Sequence, residues 1–274
     1  MSKYPHGLFS WTDISLPDPA AGASFYSELF GWEAEDQRDP DGNYIYTMFR
    51  KDGKDAAGMG QLPAEMQNQG IPPMWLSYVT VDDLDGAVAT IEANGGSTVV
   101  PAMDVMTAGR MAIVADPHGA TVALWQAGDH AGCGVFGEHG ALTWNELMTR
   151  DPQAAMDFWG STLGWGFQKM ESPMDYWVVT LDGKAADAPY AEDNANGGIM
   201  PMDDSFPAEI PPHWMVYFHV DDTDAVAAKL TELGGTVSVP AFDTPAGRIA
   251  VLGDPQGGTF SVIAPPSPEA GSEG

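Results

Sequence analysis

Trp11-Thr12-Asp13, Asp18-Pro19, Phe25-Tyr26 and Gly31-Trp32 return, at one constant spacing, as Trp144-Asn145-Glu146, Asp151-Pro152, Phe158-Trp159 and Gly164-Trp165. Ile71-Pro72-Pro73-Met74-Trp75 with Tyr78 and Asp82-Asp83 returns at a slightly longer spacing, as Ile210-Pro211-Pro212-His213-Trp214 with Tyr217 and Asp221-Asp222. Gly109-Arg110 and Asp116-Pro117-His118-Gly119 match Gly247-Arg248 and Asp254-Pro255-Gln256-Gly257 at nearly that longer spacing. A period close to half the chain marks a duplicated domain rather than a solenoid repeat. The chain therefore serves as its own alignment.

Each half divides again. Asp18-Pro19 reads as a helix cap followed by proline in the first turn, and Gly31 stops the helix after Phe30. Two strand-like runs follow, Tyr44 to Arg50 and Ala57 to Leu62. The pattern then restarts with a strand at Trp75–Val81, a helix at Asp83–Asn94, and strands at Ser97–Val100, Arg110–Ala115 and Thr121–Gln126. The second half predicts a strand near Leu142–Met148, a helix at Asp151–Leu163, a strand at Trp214–Val220 and a helix at Asp222–Leu233. The unit is strand–helix–strand–strand–strand, four times over, in an α+β chain. The predicted modules cover about 8–62, 74–126, 141–202 and 213–264. They group into domains 1–128 and 141–265, joined by a glycine-rich linker at 129–140. The change of spacing puts a short insertion between Leu181 and Gly197, in an enlarged loop around Asp187–Asn194. A tail at 266–274 is expected to be disordered.

Composition excludes several functions. The 39 acidic residues against 11 Lys plus Arg give a net charge of −28, which repels phosphate backbones and anionic lipid, so no nucleic-acid partner is expected. No apolar run approaches the roughly 18 residues of a membrane span, and no signal peptide is recognisable at the start. A lone Cys133 cannot form an internal disulfide, which makes the cytoplasm the expected compartment. Phosphate-binding glycine loops, nucleophile elbows and zinc-type Cys spacings are lacking.

The Asp18…Phe25-Tyr26…Gly31-Trp32 pattern, Val81-Asp82-Asp83 before a helix ending at Gly95-Gly96, and the two Asp-Pro-x-Gly turns resemble the vicinal oxygen chelate superfamily. That superfamily includes glyoxalases, bleomycin-resistance proteins and extradiol dioxygenases. The resemblance runs from about Leu8 to Ile263, and the chain looks especially like the duplicated 27-kDa-antigen and hydroxylase-labelled branch. It implies four βαβββ modules forming two glyoxalase-like half-barrel domains, each a cup around a ligand cavity. Fold alone does not choose among the activities of such a family. Four modules in one chain supply what single-pair relatives obtain by dimerising, so a monomer or a homodimer is expected.

Metal-dependent members place His, Gln or Glu on the first strand of each module and Glu on the last. The matching positions here are Trp11, Leu76, Trp144 and Met215, with Ala123 and Ser261 on the last strands. Ser261 alone carries an oxygen, and a hydroxyl is a poor ligand for Fe, Mn, Ni or Zn. The expectation is a protein without a cofactor, with a divalent metal as the alternative.

Strand alternation puts Asp13 on the face of Trp11, and Glu146 on that of Trp144. Tyr78 shares Leu76's face, while Tyr217 and His219 share Met215's, and Trp125 is a further wall. An indole, a carboxylate and a tyrosine in each half make an apolar site with convergent polar groups, suited to a planar or cationic ligand. The competing reading makes both Trp ordinary core. Arg110 and Arg248 are candidate ligand contacts, or else structural partners of Asp13 and Glu146. Glu146 and His219 are the candidate acid–base pair. Three functions stay open: binding of a small organic molecule, a lyase, isomerase or dioxygenase-like activity on an oxygenated metabolite, and a non-catalytic structural or interaction role.

Overall fold

The computed structural model describes residues 4–171, 175–181 and 195–266. The first module consists of β1 (Phe9–Leu16), α1 (Pro19–Phe30), β2 (Glu33–Arg38), β3 (Tyr44–Lys51) and β4 (Lys54–Gln61), with a short α2 (Ala64–Asn68) after it. The second has β5 (Trp75–Thr80), α3 (Leu84–Ala93), β6 (Ser97–Val105), β7 (Gly109–Ala115) and β8 (Thr121–Ala127). The third has β9 (Ala141–Thr149), α4 (Pro152–Leu163), β10 (Gly166–Lys169), β11 (Trp177–Thr180) and β12 (Ala195–Pro201). The fourth has β13 (His213–His219), α5 (Thr223–Glu232), β14 (Thr236–Thr244), β15 (Gly247–Gly253) and β16 (Thr259–Ala264). Four βαβββ modules are therefore present.

Local chemistry sets the element ends. Asp18, Asp83, Asp151 and Asp222 each accept a hydrogen bond from the backbone N–H three residues on, closing one orphan donor per helix start. Gly31 and Gly164 stop α1 and α4 in the left-handed region, at φ 71° and 69°. In the Asp-Pro-x-Gly turns, Asp116 Oδ1 accepts from His118 N and Ala120 N, and Asp254 Oδ1 from Gln256 N and Gly258 N. The expected loop at Asp187–Asn194 and the expected tail lie outside the described residues, Pro266 excepted.

Two eight-stranded sheets result, in the orders β2-β3-β4-β1-β5-β8-β7-β6 and β10-β11-β12-β9-β13-β16-β15-β14. Each sheet comes from one half of the chain. β1 with β4, β5 with β8, β9 with β12 and β13 with β16 are parallel pairs, and the outer strands are antiparallel. β2 has no counterpart among the predicted strands, because Glu33-Ala34-Glu35-Asp36-Gln37-Arg38 has no apolar alternation. As an exposed edge strand it needs none.

Contacts gather into two compact units, each with one module from each half. Unit 1 comprises the described residues up to Trp11, then Leu76–Gly132, then those from Trp144 to Met215. Unit 2 comprises Thr12–Trp75, Cys133–Thr143 and the described residues from Val216. The core of unit 1 contains Phe9, Val79, Leu84, Ile91, Phe158, Trp159, Trp165 and Trp214. That of unit 2 is built on Ile14, Leu16, Tyr26, Phe30, Phe49, Trp75, Phe218 and Phe260. Each such buried side chain contributes on the order of 1.5–3 kcal/mol of transfer free energy. Trp32 and Trp165 are core, and donate their indole N–H to Gly140 O and Gly7 O at 2.8 and 2.7 Å. The predicted linker is partly core as well: Cys133 and Val135 are buried, and Cys133 Sγ lies 3.4 Å from Ala56 O. No described helix is long and apolar enough to cross a membrane.

Candidate functional site: carboxylate, tyrosine and indole

The first strand of each half places a carboxylate opposite a glycine. Asp13 is in register with Gly58 on β4, and Glu146 with Gly198 on β12. In unit 2, Tyr46 Oη donates to Asp13 Oδ2 at 2.9 Å. In unit 1, the Tyr176 hydroxyl bonds to Glu146 and accepts from Trp144 Nε1 at 2.9 Å. Burial, and then the charge of Glu146, push the Tyr176 phenol well above its ordinary value, so it remains a proton donor to that carboxylate. Glu146 is only 5% exposed, whereas Trp144 keeps partial exposure. The result is a polarised chain, indole N–H to phenol to buried carboxylate.

The glycines make room for the tyrosines. A methyl group at 58 would overlap the Tyr46 hydroxyl, and one at 198 would overlap the Tyr176 hydroxyl and crowd Trp144 Nε1. Glycine inside a strand often marks such a close approach. Gly198→Ala is expected to cost about 1–3 kcal/mol through overpacking. It should also displace Tyr176, seen as an altered Trp144 indole N–H resonance. An unchanged resonance would show that the phenol does not sit over this glycine.

A second aromatic set lies within unit 1. The His130 ring stands edge-on to Trp11 at 4.5 Å and to Trp125 at 6.0 Å, and Trp125 contacts Tyr78 at 6.3 Å. Trp125 Nε1 donates to His130 O. Trp11, Tyr78 and Trp125 are all buried, so they form a packed wall, and Trp144 is the more accessible first-strand indole.

The arginines serve other carboxylates than those expected. Arg110 makes a two-pronged contact with Asp85 at 2.9 and 3.1 Å and reaches Asp104 at 3.1 Å. Arg248 holds Asp224 at 2.6 and 3.1 Å and Asp243 at 3.0 Å. The cause is register: Arg110 is opposite Asp104 and Arg248 opposite Asp243 across a hairpin, and the other acid comes from the first turn of α3 or α5. Structural pairs with Asp13 and Glu146 are therefore replaced by exposed ion pairs.

Tyr217 is buried and in register with Ser261, all in unit 2. His219, in the same unit, has its pKa lowered, chiefly by burial and secondarily by His139, against the opposing pull of Asp221. A base whose folded pKa is depressed adds stability above its unfolded value near 6.5, and that stability is lost as pH falls through the folded value. Unfolding free energy should accordingly decline as pH drops below about 6.5, and His219→Gln should flatten that decline. Parallel pH profiles for the two proteins would contradict it.

The donors at the six family metal positions are two indoles, two aliphatic or thioether side chains, a methyl and a hydroxyl. Among the described residues no group of three or more His, Cys, Asp or Glu is placed to hold a metal ion. Asp13 and Glu146, the carboxylates two residues after the first-strand indoles, are engaged by tyrosine hydroxyls. These side chains do not fit the family's divalent site.

Two eight-stranded sheets of duplicated βαβββ modules, with a candidate site on the first strands, define a glyoxalase-like double-domain protein. The chain belongs to the glyoxalase/bleomycin resistance protein/dioxygenase superfamily: that profile matches residues 8–124, and the glyoxalase-like domain profile matches 144–263. It is 40% identical over 267 residues to the putative glyoxylase CFP32 of Mycobacterium tuberculosis (strain CDC 1551 / Oshkosh), covering 96% of this chain and 97% of that protein. It is 36% identical over 273 residues to the anthracycline biosynthesis protein DnrV of Streptomyces peucetius, covering 96% and 95%. In fold it is similar to the Mn(II)-bound glyoxalase of Novosphingobium aromaticivorans, with a TM-score of 0.62, 14% identity and coverage of 94% and 82%. The 2,3-dioxygenase LapB of Pseudomonas sp. KL28 gives a TM-score of 0.60, 15% identity and 96% coverage of both chains.

Three contacting residues escape the sequence pattern: Tyr46, Tyr176 and His130. The signal for the tyrosines is a glycine inside a strand pattern at the same place in both halves, Gly58 and Gly198. His130 carries no such signal, since its neighbours in sequence read as a polar loop.

Proposed function

We propose that this chain binds a small planar organic molecule, bearing a cationic or hydrogen-bond-donating group, without the divalent ion used by metal-dependent relatives. The observation that carries this reading is the Trp144–Tyr176–Glu146 chain. A partly exposed indole offers a stacking face, and the buried Glu146 carboxylate beside it favours a cationic group. The donor set described above supports a metal-free mode of binding. The relative named for anthracycline biosynthesis belongs with planar polycyclic chemistry, which is the shape an indole platform accommodates. On this reading the protein acts in the cytoplasm, as a monomer or homodimer.

The test is a fluorescence titration of chelator-treated protein with flat aromatic amines and their uncharged analogues. Saturable tryptophan quenching that favours the amines and is unaffected by Mn²⁺, Fe²⁺, Ni²⁺ or Zn²⁺ is the expected outcome. Binding that appears only after one of these ions is added would overturn it.

A second reading is supported by the direct phenol–carboxylate bond, which is competent for proton transfer to an oxygenated substrate. It differs in one result: Tyr176→Phe would abolish turnover of a bound substrate while leaving its affinity nearly intact.

A further inference from the structure

The two compact units carry the same aromatic–carboxylate triad with one difference in chemistry. In unit 2, Tyr26 Oη donates to Asp254 Oδ2 at 2.7 Å and accepts from Trp75 Nε1 at 3.1 Å. The repeat places Trp159, Trp214 and Asp116 at the corresponding positions of unit 1. Their settings agree. Asp116 N donates to Ala120 O as Asp254 N donates to Gly258 O, and both Oδ1 atoms are used within the turn. The Trp159 and Trp214 rings meet edge-on at 6.0 Å, as Tyr26 and Trp75 do at 5.3 Å.

What unit 1 lacks is the hydroxyl. Asp116 Oδ2, Trp159 Nε1 and Trp214 Nε1 are all buried and find no hydrogen-bond partner among the described residues. Asp116 is 3% exposed, Trp214 7% and Trp159 0%. Burial also pushes the Asp116 carboxyl above its ordinary value. Protonating Asp116 would not resolve the imbalance, since it would add a third donor to a place that already has two indole N–H groups. Buried polar groups of this kind are rarely left unpaired, because each has given up its hydration with nothing in return.

We infer that unit 1 binds one internal water molecule among Asp116 Oδ2, Trp159 Nε1 and Trp214 Nε1, in the role the Tyr26 hydroxyl plays in unit 2. The ligand must accept from two indoles and donate to a carboxylate. Two N–H donors disfavour a cation and the carboxylate disfavours an anion, so a neutral donor–acceptor of one heavy atom fits. Water trapped by several protein partners is a regular structural component of folded domains. This inference is independent of the proposed ligand site.

The experiment is water-to-indole cross-relaxation by NMR on ¹⁵N-tryptophan-labelled full-length protein, with indole resonances assigned from single Trp→Phe variants. The Trp159 and Trp214 indole protons are expected to show cross-peaks to a long-lived water, and the Trp75 proton, which donates to Tyr26, none. Absence of the Trp159 and Trp214 cross-peaks would overturn the assignment. Trp159→Tyr supplies the hydroxyl in place of the water and is expected to abolish the Trp214 cross-peak. Persistence of that cross-peak in the folded variant would equally overturn it. The wild-type measurement decides even where the variant fails to fold.

Discussion

Replacing Tyr26 by phenylalanine is expected to lower the unfolding free energy by about 3 kcal/mol. The ring stays and no cavity opens, so the whole effect comes from the hydroxyl. That hydroxyl is fully buried, donates to the Asp254 carboxylate and accepts from the Trp75 indole. Removing it leaves a buried carboxylate oxygen and a buried N–H with no partner. Loss of a neutral hydrogen bond alone would cost about 1 kcal/mol, and the charged partner raises the figure. Urea unfolding of wild type and Tyr26→Phe, compared at equal slope, measures the difference. A loss below about 1 kcal/mol would show that the carboxylate finds another donor.

Glu146→Gln is expected to weaken binding of a planar cationic ligand roughly ten- to a hundredfold, with little change for the uncharged analogue. The amide oxygen can still accept from Tyr176, so the local geometry is retained and only the charge is removed. A charge-assisted hydrogen bond is worth about 1.5–3 kcal/mol, and each 1.4 kcal/mol is tenfold in affinity. Equal loss for charged and uncharged ligands would mean that the variant disturbs packing rather than recognition. No loss for either would remove Glu146 from the site.

The legible parts of the fold are those fixed by local chemistry repeated in register. Four aspartate caps, two left-handed glycine stops and two Asp-Pro-x-Gly turns are short-range devices, and each falls where the sequence predicts. The first-strand carboxylates Asp13 and Glu146 follow from alternation alone, and the structure gives each a hydrogen-bond partner. The partners are less accessible to the same reasoning. Tyr46 and Tyr176 come from the adjacent hairpins, and they are spaced more closely than the repeated first strands are, so the two do not align when the halves are superposed on those strands. The arginines mislead because the helix first-turn acids Asp85 and Asp224 become their neighbours only once the hairpins are folded. β2 is hidden because an edge strand with two solvated faces has no periodicity to display.

Because each compact unit takes one module from either half, neither half is expected to fold by itself, despite being a complete copy of the repeat. Expressed alone, the first half would leave its two module cores uncovered, and it would be driven to recruit a second copy of itself. Two half-length polypeptides made together should instead complement one another in trans. The covalent connection between β8 and β9 then does two things: it lends Cys133 and Val135 to the core, and it fixes stoichiometry by holding the two halves at high effective concentration.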